Sequence, residues 1–161
     1  MQLRGVRLGT ALKILLASIA PRSRSDAFDS LAKSYVARIA PYTSVESASF
    51  ATEAVFFQHL DKLGTRTAPL LVLLDSRGRT LTSEELASRL GEERDAGRRQ
   101  IVFAIGPADG WSEDARRRAG LLLSFGRMTL SHQLMRVVLA EQVYRAFTIL
   151  AGHPYHSGHS G

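Results

Sequence analysis

The spacing of hydrophobic positions changes along the chain, and each change marks a new element. Leu12 to Ile19 is a nearly unbroken apolar run of strand length, which predicts a strand buried on both faces. A polar, basic stretch from Pro21 to Ser25 follows. Phe28, Leu31, Ala32, Tyr35, Val36 and Ile39 then recur at helical spacing, and Pro41 ends that helix. Val45 to Phe50 reads as a weakly marked second strand, and Glu53 to Leu63 as a short helix with Val55, Phe56, His59 and Leu60 mostly on one side. Pro69 to Leu74 is continuously apolar and predicts a central strand ended by Asp75 and the turn Ser76-Arg77-Gly78. Thr82 with Glu85 forms a capping box that opens a helix to about Ala96, where Gly97 stops it. That helix is the crossover to Gln100 to Ile105, another buried strand.

This strand runs into Gly106-Pro107-Ala108-Asp109-Gly110, and a helix begins near Ser112. Leu121 to Phe125 is a last short strand, and Gln133 to Leu150 is the longest helical pattern. Strand and helix alternate throughout, so the expected architecture is a mostly parallel α/β sheet with helices on both faces. With 161 residues the chain suits one core, and residues 12–161 are expected to form a single domain. Residues 1–11 read as a loosely ordered extension, or as a start placed upstream of the real one.

Composition narrows the function. Cysteine is absent, which excludes disulfide frameworks, Cys-based zinc sites and thiol nucleophiles and makes the cytoplasm the expected home. Lys plus Arg number 21 against 15 Asp plus Glu, a net charge of +6 that favours a polyanionic partner. Arg4, Arg7 and Lys13 before the run Ile14 to Ala20 mimic a short export signal. Lys13 leaves only about seven apolar residues, however, which suits a buried strand and is far short of the ~20 that span a membrane. A soluble protein without a membrane partner is expected.

Three strands end in loops at Leu74-Asp75, Ile105-Gly106 and Phe125-Gly126, where parallel sheets bind ligands. Glycines there either let a ligand approach the backbone or are plain turn glycines. Neither G-x-G-x-x-G nor a Walker A sequence is present. Glu141 and Arg145 stand one helical turn apart in the favourable order, on a helix apolar around much of its circumference through Val137, Val138, Tyr144, Phe147 and Ile149. A half-buried pair at a contact is expected. Three of the five histidines fall in the last nine residues, without acidic or Cys partners at ligand spacing, so no metal site is expected. The tail His153-Pro154-Tyr155-His156 reads either as unstructured or as an aromatic and imidazole pair suited to an unstacked RNA base. Arg116-Arg117-Arg118 reads as the opening of a helix, either a phosphate contact or a solvated face.

Taken together, Ile105 to Gly110, Leu123 to Ala146 and His153 to His156 closely resemble the large-subunit ribosomal RNA methyltransferase H family, a SPOUT-class family. The likeness runs from about Leu12 to His156 and is most specific from Ser124 onward. It implies an α/β knot, in which the C-terminal part threads a loop to form a trefoil knot, an exception to the rule against knots. It also implies S-adenosyl-L-methionine as cofactor, a homodimer, and methylation of N3 of a pseudouridine in a 23S rRNA hairpin loop on the assembled ribosome. Carried over by position, Leu74, Gly106, Pro107, Gly126, Arg127, Met128, Thr129, Leu130 and Ser131 would hold the cofactor. Glu141, Arg145, Tyr155 and His156 would form the catalytic, RNA-facing side.

Two departures stand out. Pro107 replaces a second glycine and removes one backbone N–H donor. Ser157 and a Gly/Ser/His extension replace the basic residue usual after the tail histidine. The N3 proton of a uracil ring is weakly acidic, so a base is useful; Glu141 and neutral His156 both qualify, with Arg145 fixing the carboxylate or the RNA. The competing reading is a non-catalytic RNA-binding module that retains the fold. A hydrolase lacks G-x-S-x-G.

Overall fold

In the computed structural model, residues 12–21, 26–63 and 68–156 are described. The extension over 1–11, most of the basic stretch after Pro21 and the tail beyond His156 lie outside them. The alternation expected from the apolar pattern is present: β1 (Lys13–Ile19), α1 (Ala27–Ile39), β2 (Ser44–Phe50), α2 (Glu53–Asp61), β3 (Leu70–Thr80), α3 (Ser83–Asp95), β4 (Gln100–Ile105), α4 (Glu113–Arg118), β5 (Leu121–Ser124) and α5 (His132–Ala151).

The strands form one sheet in the order β2-β1-β4-β3-β5, with every pairing parallel. Moves in one direction along the sheet, β1 to β2 and β3 to β4, use α1 and α3 on one face. Moves in the other direction use α2 and α4 on the opposite face, as crossovers of a single hand require. Two apolar layers result. Ile14, Leu16, Val72 and Phe103 pack under α1, α3 and α5, while Leu15, Leu73, Val102 and Ala104 pack under α2 and α4. Strand period two explains why the apolar runs are continuous: both faces are covered.

Local chemistry sets the helix ends. Thr82 and Glu85 form the reciprocal capping box, Ser112 caps α4, and Gly97 has the left-handed φ of 90° that terminates the turn after α3.

The structure corrects several expectations. β3 does not end at Asp75 but continues to Thr80, with Leu74 and Arg79 both opposite Leu123 across a bulge. The Asp75 carboxylate accepts the Arg77 backbone N–H at 2.8 Å and so bends the strand without ending it. Gly78 is required there, since a Cβ would stand 2.6 Å from the Leu122 backbone. β3 is an interior strand, but β4 is the middle one. In α2, Phe57 is buried and Val55 exposed, and the last strand stops at Ser124. Arg116, Arg117 and Arg118 close α4, because Ser112 caps it and Glu113 and Asp114 fill its first turn.

Candidate active site

Helix α5 organises the site. Ser131 caps its start by accepting the Leu134 N–H, and Gly152, at φ 71°, ends it in a left-handed turn. The His153 N–H donates to the Thr148 carbonyl at 2.9 Å, and the chain turns back along the helix. The tail is therefore docked as far as His156, contrary to an unstructured reading. Tyr155 lands on Tyr144, ring centroids 4.7 Å apart in an edge-on arrangement, and its hydroxyl donates to Glu141 Oε2 at 2.9 Å.

Glu141 is a hub. Arg145 Nη2 donates to the same oxygen at 2.6 Å, and Gln142 Nε2 to Oε1 at 3.0 Å. The Arg145 guanidinium lies 5.0 Å from the Tyr155 ring centroid. The two charged side chains are only 18% and 19% exposed, which bears out the expected half-buried pair. The hydrogen bond to Glu141 holds the proton on Arg145 more firmly than usual. Burial, then the hydrogen bonds with Glu141 and Tyr35, push the Tyr155 hydroxyl well above the ordinary tyrosine range. It stays a donor throughout neutral pH. His156 Nδ1 sits 2.9 Å from the His153 carbonyl, and His153 Nδ1 accepts the Tyr155 N–H, so His153 carries its proton on Nε2 when neutral.

Gly106 and Pro107 follow β4 and Gly126 to Ser131 follow β5, whereas Leu74 lies inside β3, just before its bulge. Ser124 Oγ both accepts the Gly126 N–H and donates to its carbonyl, which fixes the start of the last loop. Gly126 has φ 127°, and nothing stands within 4 Å of where its Cβ would be. The N–H groups of Arg127, Met128, Thr129 and Leu130 have no protein acceptor among the described residues. Met128 is 88% exposed, and buried His132 Nε2 has no partner among the described residues. Open space, free donors and an unpaired imidazole nitrogen fit a nucleoside-bearing cofactor with polar edges. Burial, then the Arg136 charge, lowers the proton affinity of His132 and keeps the ring neutral.

Sequence reasoning missed Trp111. Its indole N–H donates to the Leu74 carbonyl at 3.0 Å, and its ring lies where a Cβ on Gly106 would come within 2.8 Å. Gly106 is thus glycine because of Trp111, and its neighbour Pro107 accepts the Gly110 N–H at 2.8 Å in the following turn. A lone tryptophan after a glycine-rich loop was the available signal. Asp75 was expected in a ligand loop, but its ion pair with Arg116 was not anticipated. Arg116 Nε binds it at 2.7 Å; burial pushes its carboxyl up, but the bonds from Arg116 and the Arg77 N–H outweigh this and hold it below the usual range. The other arginines of the run pair with Asp114 and Asp61, so the run is a set of ion pairs and not a free phosphate patch.

Within one chain, α5 separates Glu141 and Arg145 from Ser131. Glu141 and Arg145 lie ten and fourteen positions beyond Ser131, which is about 15 and 21 Å along a helix. Tyr155 is bonded to Glu141 and so shares its place along α5. Among the described residues no cluster of side chains suits a metal, and no helix is long and apolar enough to cross a membrane.

A family model described as "Predicted SPOUT methyltransferase" matches residues 12–156, nine-tenths of the chain and every candidate site residue. The chain belongs to the SPOUT methyltransferase family. Among the relatives of this SPOUT family member, a protein of Koribacter versatilis named ribosomal RNA large subunit methyltransferase H is 46% identical over 138 residues, covering 86% of this chain and 94% of the relative. Proteins of the same name from Rhodospirillum centenum and Allorhizobium ampelinum are 60% and 56% identical over 87 and 88 residues, just over half of each. A solved SpoU methyltransferase, AviRb from Streptomyces viridochromogenes in complex with AdoMet, is 10% identical at a TM-score of 0.48, covering 89% of this chain and 62% of that one.

Proposed function

We propose that this SPOUT family member is an S-adenosyl-L-methionine-dependent 23S rRNA methyltransferase that modifies N3 of a pseudouridine in a large-subunit hairpin loop. It works as a cytoplasmic homodimer on the assembled ribosome, and the C-terminal trefoil knot of its class goes with this reading. The observation that carries it is the 46% identity with the Koribacter protein of that name across 94% of its length. The net charge of +6 suits a polyanionic substrate.

When bound, the cofactor supplies a methyl group on a sulfonium, which is already activated. The chain must hold and align. Leu74, Gly106, Pro107 and Gly126 to Ser131 form the cradle; its free N–H groups and the open face of Gly126 support this assignment. Glu141 takes the N3 proton, with His156 the alternative base. Arg145 and the protonated Tyr155 fix the Glu141 carboxylate, and both bonds to Oε2 support that role. The separation along α5 favours a site shared between chains, in which Glu141 and the tail of one protomer face the loops of its partner. Phe28 and Leu31 on α1 and Leu134 on α5 are exposed apolar side chains available for such a contact.

Calorimetry with S-adenosylmethionine separates this reading from the non-catalytic module. A micromolar response is expected, and silence at millimolar concentration would favour the module.

A further inference from the structure

A cleft of about 780 Å³ opens at the carboxyl ends of β2, β1 and β4, between α1 and α5, beside the cofactor loops but distinct from them. Its position follows from topology. The connections leaving the neighbouring strands β1 and β4 diverge: α1 carries the chain outward to β2 on one face, and α4 carries it toward β5 on the other. In open parallel sheets a ligand crevice forms where connections part in this way. The volume falls in the ~300–1,000 Å³ range of ligand clefts.

The floor of the cleft turns polar at the carboxyl ends of β1 and β2, where Ser18 is buried and Ser47 and Ser49 stand exposed on the edge strand. On the α1 and α5 side, β1 presents Ile14, Leu16 and Ser18, and paired with them β2 presents Val45, Ser47 and Ser49. Both rows turn from aliphatic to serine toward the carboxyl end. Ser18 and Ser49 place their hydroxyls 3.4 Å apart, each with further hydrogen-bonding capacity facing the cleft. At buried Ser18 a purely structural floor would gain more from valine.

The walls are cationic. Lys33 on α1 and Arg136 on α5 each reach Asp29 at 3.1 Å, so two cations share one carboxylate. The two helices run parallel, as the contacts of Asp29 with Arg136 and Tyr35 with Tyr144 show, and both N-termini sit at this end. Their dipoles add positive potential. Ile105 lines the cleft and Gly106 belongs to the cofactor cradle, so the end of β4 is common to both.

We propose that this cleft takes an unstacked ribonucleotide of the acceptor RNA, with Lys33 and Arg136 on its phosphate and Ser18 and Ser49 on its ribose or base edge. The assignment deepens the methyltransferase reading and rests on it for the identity of the RNA. It places the acceptor beside the methyl donor, across Gly106.

The test is amide chemical-shift mapping of the full ¹⁵N-labelled chain, titrated separately with uridine 5′-monophosphate and S-adenosylhomocysteine. Lys33→Gln and Ser49→Val change exposed side chains outside the cofactor loops. The nucleotide is expected to shift Ser18, Lys33, Ser49 and Arg136, and each variant to weaken it about tenfold while the homocysteine compound binds within about twofold of its original affinity. Nucleotide shifts elsewhere, no shifts, or unchanged nucleotide affinity in both variants would overturn the cleft assignment. Nucleotide binding in the cleft without any response to S-adenosylhomocysteine would uphold the cleft and overturn the methyltransferase reading instead.

Discussion

Trp111 donates its indole N–H to the carbonyl of Leu74 across 3.0 Å and so ties the middle of β3 to the loop that follows β4. The bond is buried, the ring fills the space that Gly106 leaves open, and Phe56 meets it tilted and Phe57 edge-on. One side chain thereby sets the spacing between Leu74 and Gly106, two of the residues proposed to hold the cofactor.

Removing that bond has a defined cost. Trp111→Phe leaves the Leu74 carbonyl buried without its donor and is expected to lower stability by roughly 2 kcal/mol, read as a fall in Tm. Gly106→Ala forces the ring aside at a cost of about 1–3 kcal/mol. Because Trp111 is the sole tryptophan, its fluorescence is expected to change as S-adenosylhomocysteine binds. An emission spectrum indifferent to saturating ligand would contradict the placement of the cofactor beside Leu74 and Gly106.

Asp75 makes stability depend on acid pH. Its folded carboxyl titrates below its ordinary value of 3.8, so its contribution is complete above that value and is lost as pH falls through the folded one. Asp75→Asn is expected to cost roughly 2 kcal/mol at neutral pH and to flatten the acid limb of a stability profile. An unchanged acid limb would contradict the role given to Arg116 and the Arg77 N–H.

Tyr155 acts at the other end of the scale. Its hydroxyl is held protonated above its ordinary value of 10.0, so its contribution is complete below that value and is lost as pH rises through the folded one. Tyr155→Phe is expected to remove the Glu141 bond, lower kcat about tenfold or more and spare the affinity for S-adenosylhomocysteine. Equal losses in cofactor affinity and kcat would mean that Tyr155 serves the fold alone.

The division of residues along α5 leads to a mixing experiment. Glu141→Gln disables one set, and Gly126→Ala strains the other at its positive φ. If sites are shared between chains, mixed dimers carry one intact site, and remixing the two inactive proteins restores about one quarter of wild-type activity. No recovery would place each site within a single chain.

Much of this architecture was legible in the chain because apolar period and cap chemistry agree locally, as in the Thr82 and Glu85 box and the strand Gln100 to Ile105. β3 misled because Asp75 to Gly78 has the composition of a turn, while only the backbone of Leu122, distant in sequence, makes it a bulge. The Glu141 and Arg145 pair was readable at helical spacing. Its link to Tyr155 was not, since that depends on the left-handed turn at Gly152 sending the tail back. Ser18, Ser47 and Ser49 passed unremarked because a serine at a strand position acquires meaning only when the helices above it part. Trp111 needed the fold to bring Leu74 within reach.

The most direct measurement incubates the protein and methyl-labelled S-adenosylmethionine with ribosomes from cells lacking the endogenous activity, then maps the label. Label is expected on N3 of a single pseudouridine in a 23S rRNA hairpin loop, abolished by Glu141→Gln. Label on another base, or none while S-adenosylmethionine demonstrably binds, would contradict it.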